Sequence, residues 1–288
     1  MFLQLVVSGL VNGAVYALIA LGLVVMYKST EIVNFAQGEM VMLGAFFGLT
    51  ASTTLGLPYP LAFIAAVLAA AIVGWLVDRV LFRPLYDAPL MILVLATFAI
   101  SNILRGTARV VWGTETHAYE RSTMMVPVRL GRVVVTRQQM LILAGGLALM
   151  AGLYVFFRRS WWGKGMRAMS QNRIGASLSG IGVSQVFSLT WVLSGVLGAA
   201  AGVLFAPLTL IDADIGWIII KAFAAAILGG FDSLPGAVLG GLMLGVVENL
   251  SGRVLPVVWV PMLAYVFIIL VLLVRPSGLL GKRVMKKV

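Results

Sequence analysis

The chain has 288 residues, of which 61% are hydrophobic and 11% charged, and its formal net charge is +11. Its mean hydropathy is +1.06, whereas roughly a quarter of the residues of an ordinary soluble domain are charged. Several apolar runs reach the ~20 residues that cross a bilayer. The composition therefore predicts an all-α, polytopic membrane protein, since the weak alternation of a transmembrane β-barrel is absent.

The net charge, the cysteine count and the single histidine exclude further kinds of site and partner. We attribute the positive charge to cytoplasmic loops, where Lys and Arg gather in membrane proteins, and we expect no nucleic acid as a partner. The chain has no cysteine, which excludes disulfides and thiolate metal sites. The lone His117 lies in a polar loop and is interpreted as a surface residue.

The apolar runs predict about seven to eight transmembrane segments within one domain that covers residues 1–288. The first run is longer than a signal-peptide core and lacks a preceding basic residue, so we interpret it as a retained span. In chain order the predicted segments are 5–27, a short 38–55, 60–82, 90–112, 138–157, 186–206, a broken segment 218–250, and 256–274.

A patch of polar and small residues interrupts the first span at Asn12, Gly13 and Tyr16. Asn12 and Tyr16 are candidates for a substrate path. The alternative for Asn12 is a hydrogen bond to a neighbouring helix, which is a common role for amide side chains in lipid.

The polar stretch 29–39, just before the short second span, contains Asn34, Gln37 and Glu39. Non-helical backbone at membrane depth persists only where it is buried in protein or lines a cavity. Interruptions in both halves of a transporter indicate the substrate path. These three side chains are therefore further path candidates, and a plain cytoplasmic loop is the alternative.

The outer loop 113–137 is predicted to contain a short hairpin over 126–135 that turns at Leu130-Gly131. Such a hairpin is either a docking platform for an outside partner or a lid.

A basic insert covers residues 158–183, between the fifth and sixth predicted spans. If residues 164–180 form one helix, residues spaced three or four apart make a face of small side chains with Arg167 beside it. Such a face would let the backbone of a soluble partner come close, and the alternative is a solvated loop. The members of the small face are Gly165, Ala168, Asn172, Gly175, Ala176, Ser179 and Gly180.

The positive residues predict the orientation of the chain. If the insert and the tail 275–287 are cytoplasmic, 13 of the 21 Lys and Arg residues face inward, including Lys28, Arg79 and Arg83. The N-terminus is then periplasmic and the C-terminus cytoplasmic.

This orientation requires the segment 218–250 to begin and end outside, although it is too short for two full spans. We therefore predict a re-entrant pair of half-helices that is broken by Gly229, Gly230 and Pro235. Gly229, Gly230 and Asp232 are the path candidates of this half of the chain.

The chain lacks the sequence motifs of ATP-binding subunits and of membrane metalloproteases. It contains no G-x-x-x-x-G-K-[ST] phosphate loop and no H-E-x-x-H motif. Carboxylates in the predicted spans are scarce, which argues against the alternative of an ion-gradient-driven secondary transporter.

Several motifs together resemble the permeases of branched-chain amino acid ABC importers, and the LivH-type subunit most of all. The matching stretches cover nearly the whole chain: 13–22, 34–39 with 42–45, 165–181, 228–241 and 275–281. The resemblance implies a multi-pass permease of the bacterial inner membrane that takes up branched-chain amino acids or similar small polar solutes. Very similar permeases carry urea, short amides and other amino acids.

The resemblance also implies a set of partners: a second permease of LivM type, two ABC ATPase subunits that bind ATP, and a periplasmic solute-binding protein. The permease itself would hold no cofactor or metal and catalyse no covalent chemistry. The insert would be the ATPase-coupling loop, with Gly165, Arg167, Ala168, Asn172, Ala176 and Gly180 as its contact residues.

Overall fold

The computed structural model describes residues 2–119, 126–130, 133–275 and 277–281. Within them the chain forms α-helices and one β-hairpin, in agreement with the predicted helical membrane fold. The helices are α1 Phe2–Thr30, α2 Gln37–Thr53, α3 Tyr59–Leu76, α4 Leu90–Trp112, α5 Arg137–Arg159, α6 Trp161–Gln171, α7 Arg173–Leu178, α8 Val183–Phe205, α9 Ile219–Gly229, α10 Leu234–Ser251 and α11 Leu263–Val274.

Among the described residues, six helical segments are long and apolar enough to cross a membrane. They are Phe2–Thr30, Tyr59–Leu85, Leu90–Trp112, Arg137–Arg159, Val183–Leu208 and Leu234–Ser251. The second of them includes a π-helical turn at Val77–Phe82 after α3. The first and third to sixth predicted spans thus have helical counterparts, and α2 is the short second helix, with 17 residues.

The predicted broken segment 218–250 is present, but its two helices differ in length. Helix α9 has 11 residues and is a half-helix, whereas α10 has 18 residues and is long enough to cross. The prediction of two half-helices is therefore wrong for α10. Pro235 lies in the first turn of α10, where proline is tolerated, so the break ends before it and the helix continues to Ser251.

The last predicted span also differs from the structure. Residues Val257–Met262 form a 3-10 segment with Pro261 inside it, and the α-helical part is only the 12 residues of α11. Proline lacks the N–H that an α-helix needs at an interior position, which explains the late start.

The predicted hairpin of the outer loop is confirmed. Strand β1 (Pro127–Leu130) pairs antiparallel with β2 (Val133–Thr136). The Gln4 side-chain amide donates to the Val134 carbonyl at 2.7 Å and accepts from the Val134 N–H at 2.9 Å. These two bonds connect the hairpin to the start of α1. The predicted turn was at Leu130-Gly131, and Gly131 lies outside the described residues.

The chain divides into two compact units, and the predicted single domain stays a prediction. Unit 1 comprises Met1–Val24, Arg121–Met150 and Ile218–Val288. In it α10 packs on α1 without intervening side chains: a Cβ on Gly13 would lie 2.7 Å from the Cα of Leu242. Helices α9 and α10 form an antiparallel pair, because Gly240 meets Ala225 while Gly236 meets Gly229.

Unit 2 comprises Val25–Glu120 and Ala151–Trp217. Its centre is α8, which contacts α2 and α3 through glycines. A Cβ on Gly202 would lie 2.1 Å from the carbonyl oxygen of Val41, and one on Gly195 would lie 2.6 Å from that of Ala70. Small residues at such contacts let helices approach closely in lipid.

We expect Gly202→Leu to destabilise unit 2, because the new side chain would push α2 away from α8. The expected loss is ~3 kcal/mol or more, the upper range for overpacking, measured as a lower midpoint of unfolding in detergent. Gly106→Leu in α4 is the matched control, since a Cβ there meets nothing within 4 Å. Equal midpoints for the two variants would contradict the assigned contact.

Candidate transport path and coupling surface

The interruption between α1 and α2 lies inside unit 2. Glu31 has a φ of 62°, a left-handed conformation that is uncommon outside glycine and breaks the helix. The Asn34 amide then donates to the Ser194 hydroxyl at 3.2 Å, and the Gln37 amide donates to the Ser194 carbonyl at 3.2 Å. Both amide side chains are fully buried.

These bonds fix the depth at which α2 begins. Ser194 lies near the middle of α8, and the backbone N–H of Phe35 donates to Thr97 of α4 at 3.2 Å. The stretch before α2 is therefore enclosed between two spanning helices and is not a loop beyond their ends. Since buried polar groups need partners, Ser194 supplies a hydrogen-bond partner to each of the two amide side chains.

Glu39, in the first turn of α2, forms an ion pair with Arg105 of α4. The side chain of Glu39 is 1% exposed and that of Arg105 is 17% exposed. The guanidinium of Arg105 also lies over the Trp217 ring, 4.8 Å from its centroid. Glu39 was predicted from the sequence, whereas Arg105 and Trp217 were not, because their positions depend on how distant segments pack.

A second ion pair lies in unit 1. The Lys221 ammonium of α9 contacts the Glu248 carboxylate of α10 and donates to the Tyr16 hydroxyl at 3.1 Å. Tyr16 is thus a buried partner of a charged pair. Asn12, one turn earlier in α1, is half-buried.

At the closed end of the α9–α10 pair, the predicted path residues serve close packing. A Cβ on Gly229 would lie 1.9 Å from the Gly236 carbonyl oxygen, and one on Gly230 would lie 2.5 Å from the Gly281 nitrogen. Gly230 also has a φ of 108°, which glycine alone adopts readily. Asp232 is half-buried beside Gly281.

The basic insert is helical, yet it is not the single helix predicted. Asn172 adopts an extended conformation (φ −158°, ψ 103°) between α6 and α7, and its side chain accepts from the Gly175 N–H at 2.9 Å. Asparagine commonly exchanges a helical position for such a cap. The predicted continuous face of small residues over 164–180 is therefore wrong.

The small residues of the insert also point in different directions. Gly165 is buried against Ile181 and Val186 of the same chain, and Ala176 is 5% exposed. Ala168 and Arg167 are half-buried, and Asn172 is exposed. Gly180 is exposed with a φ of 83° and ends the turn after α7. These residues shape the insert and do not form one docking face.

Apolar side chains that sequence analysis missed are exposed on α7 instead. Ile174 is 74% exposed and Leu178 is 85% exposed. They are four residues apart and share a helix face, which we call the coupling surface. Neither side chain is part of the packed core. The signal in the sequence was the i, i+4 apolar pair.

A buried carboxylate connects α7 to the helices of unit 2. Asp78, in the π-helical turn, is 0% exposed and accepts hydrogen bonds from the Tyr86 and Ser188 hydroxyls. Arg173, the first residue of α7, donates to the Tyr86 carbonyl at 3.2 Å and lies over the Phe187 ring. Burial, and then the bond to Asp78, raise the pKa of Tyr86, so its hydroxyl keeps its proton.

Three carboxylates nevertheless lie toward the ends of helical segments, where each has a partner. Glu39, Asp78 and Glu248 each lie in a helical segment with a base or hydroxyls beside them. Ionisable groups inside membrane helices are costly and mark functional positions by default.

The chain matches the family model described as "Branched-chain amino acid transport system / permease component" over residues 5–274. It is 34% identical to "High-affinity branched-chain amino acid transport system permease protein BraD" of Pseudomonas aeruginosa, over 100% of this chain and 98% of that protein. Its identity to the LivH permease protein of the same system in Escherichia coli K12 is 32%, with the same coverage. A probable LivH of Methanocaldococcus jannaschii is 30% identical over 92% of this chain and 88% of that protein.

Proposed function

The chain belongs to the family of branched-chain amino acid transport permease components and is a LivH-type permease subunit of an ATP-binding cassette importer; we propose that it carries branched-chain amino acids or similar small polar solutes. Its relatives are permease proteins of high-affinity branched-chain amino acid transport, and the match extends over their full length. This full-length identity is the observation that carries the proposal.

The proposed complex contains a second permease of LivM type, two ABC ATPase subunits and a periplasmic solute-binding protein. ATP is bound by the ATPase subunits, and this chain holds no cofactor and catalyses no covalent reaction. Binding energy from ATP shifts the permease pair between outward-open and inward-open states, because the ATPases contact the two states differently.

The coupling surface on α7 supports the proposed ATPase contact. An apolar pair that is exposed on a short helix fits a hydrophobic groove of a soluble partner. Force on α7 reaches the rest of unit 2 through Arg173, whose bonds to Tyr86 lead to Asp78 and Ser188.

Each unit has its own proposed solute-path residues, which are polar side chains inside its helices. In unit 2 these are Asn34, Gln37 and Glu39, at the buried start of α2. In unit 1 they are Asn12, Tyr16 and Asp232, with Gly229 and Gly230 supplying the close contacts that hold the helix pair. Broken helices at membrane depth are where transporters commonly bind solute.

We further propose that the protein lies in the bacterial inner membrane with its N-terminus periplasmic and its C-terminus cytoplasmic. The distribution of positive charge supports this orientation, since 13 of the 21 Lys and Arg residues then face inward. Because the chain has no cysteine, single-cysteine variants test it directly.

Arg253→Cys, just beyond α10, is expected to react with an impermeant thiol reagent from the periplasmic side only. The exposed Gln171→Cys in the insert is the matched control and should react only in inverted vesicles. Labelling of Arg253→Cys from the cytoplasmic side alone would reverse the assignment of the last helices.

The substrate class is tested on the complete complex with its binding protein. Vesicles that contain ATP should accumulate labelled leucine, isoleucine or valine, and unlabelled members of the group should compete. Competition by urea or acetamide, with none by the apolar amino acids, would replace the proposed substrate and leave the permease family unchanged.

A further inference from the structure

The Glu39–Arg105 pair lies where a purely structural ion pair is costly. Glu39 of α2 and Arg105 of α4 pair within unit 2, and Glu39 is almost fully buried. Replacing such a pair by apolar residues is often neutral or stabilising. Stability alone therefore does not account for the pair.

The surroundings of the pair add two binding features. The Arg105 Nε is buried and has no hydrogen-bond acceptor among the described residues. Trp217 lies against the guanidinium and is still 56% exposed, so one face of an aromatic ring is available beside the charges. Gly216 lies close to the carboxylate: a Cβ there would lie only 3.2 Å from Glu39, so a side chain at this position would crowd the pair.

We propose that Glu39, Arg105 and Trp217 form a binding site in the permease for a zwitterionic, apolar α-amino acid. Glu39 receives the α-ammonium group, Arg105 binds the α-carboxylate, and Trp217 contacts the apolar side chain. The inference rests on the proposed function, since it assumes that amino acids pass through this chain.

The charge balance favours this ligand over others. In the resting protein the two side chains neutralise each other. When a zwitterion enters between them, its ammonium faces Glu39 and its carboxylate faces Arg105, so the site stays neutral. A ligand with net charge would leave an unpaired charge within the helices, which is strongly unfavourable. The site therefore favours zwitterions, because binding of a ligand with net charge is energetically unfavourable.

The position of α2 does not depend on this pair alone. Asn34 and Gln37 bond Ser194, and Gly44 allows the backbones of α2 and α8 to touch. A neutral pair at positions 39 and 105 is therefore expected to leave the helices assembled. This separates a binding role from a structural one.

The test compares Glu39→Gln/Arg105→Gln with Arg109→Gln/Asp214→Asn in the complete complex. The control removes a pair 3.1 Å apart that joins the same helix to the loop before Trp217, with side chains 46% and 56% exposed. Uptake of labelled leucine into ATP-loaded vesicles is measured at a saturating concentration of leucine-loaded binding protein.

We expect the Glu39→Gln/Arg105→Gln complex to assemble and hydrolyse ATP while its maximal uptake falls at least about tenfold, as the loss of a charge-assisted contact implies. The control should stay within about twofold of the wild type. Wild-type uptake by Glu39→Gln/Arg105→Gln would overturn the inference, and the role of the pair would then be structural only.

Two further outcomes keep the test decisive. If the neutral pair prevents assembly, Trp217→Ala replaces it, because that exposed ring can be removed without opening a core. Leucine uptake should then fall more than alanine uptake, and an equal effect on both would overturn the inference. Absence of uptake of any amino acid by the wild-type complex would instead refute the proposed function.

Discussion

Replacing Ile174 and Leu178 with aspartate is expected to abolish ATPase binding and, with it, ATP-driven uptake. These side chains are the most exposed apolar pair on α7, and a partner groove that covers them would have to bury two carboxylates. Apolar anchors at interface centres contribute about 2 kcal/mol or more each, so each substitution should weaken affinity by ~30-fold. The fold of the permease should be unaffected, since neither side chain is part of its core.

The measurement is co-purification of the ATPases from membranes, followed by uptake in vesicles. Gln171→Glu is the matched control, because it adds a negative charge at an exposed position of the same insert without touching the apolar pair. Substitutions at Ala176 or Gly180 are less informative, since the first is buried and the second has a positive φ. Normal ATPase recovery with both aspartates present would remove α7 from the interface.

Breaking the Lys221–Glu248 pair is expected to cause a large loss of stability. Lys221→Met leaves a carboxylate uncompensated among α1, α9 and α10, and removing one member of a buried pair costs roughly 3–5 kcal/mol. Because Lys221 keeps 28% of its side-chain exposure, we expect a value near the lower end of that range.

The readout is the midpoint of unfolding of the purified complex in detergent. Lys221→Met and Glu248→Gln should each lower it, and Lys221→Met/Glu248→Gln should recover most of the loss because no charge is then left unpaired. Arg109→Gln, which removes half of an exposed pair, should change the midpoint little. Additive effects in the double variant would show that the two side chains act independently.

The elements that sequence analysis predicted best are those whose limits are set locally. Helix α4 has the predicted bounds because Pro89 precedes its apolar run and Gly113 ends it with a φ of 84°. The break at Gly229 and Gly230 was predictable for the same reason, since glycine ends helices through its own backbone freedom.

The errors occurred where a local rule allowed two outcomes. Asn172 fits the predicted row of small residues, yet its side chain can also cap the next helix. In the structure it accepts from the Gly175 N–H as the N-cap of α7, so the single helix is interrupted there. Pro261 lies inside the apolar run 256–274, which looked long enough to span, and it confines the α-helical part to Leu263–Val274.

The ion pairs were beyond sequence analysis for a different reason. Glu39 and Arg105 are 66 residues apart, and Lys221 and Glu248 are 27 apart. Which charge meets which depends on the glycine contacts that set helix positions, such as Gly202 against Val41. Only the presence of polar residues near the interruptions could be predicted, and that alone suggested Glu39.

Reconstitution into liposomes tests the central claim most directly. The purified chain alone, with a proton or sodium gradient and a panel of labelled amino acids, should show no uptake above empty liposomes. The complex with the second permease, the ATPases, internal ATP and loaded binding protein should accumulate solute, and an ATPase-inactive complex should not. Gradient-driven uptake by the chain alone, with no dependence on ATP in the complex, would contradict its role as the permease subunit of an ATP-driven importer.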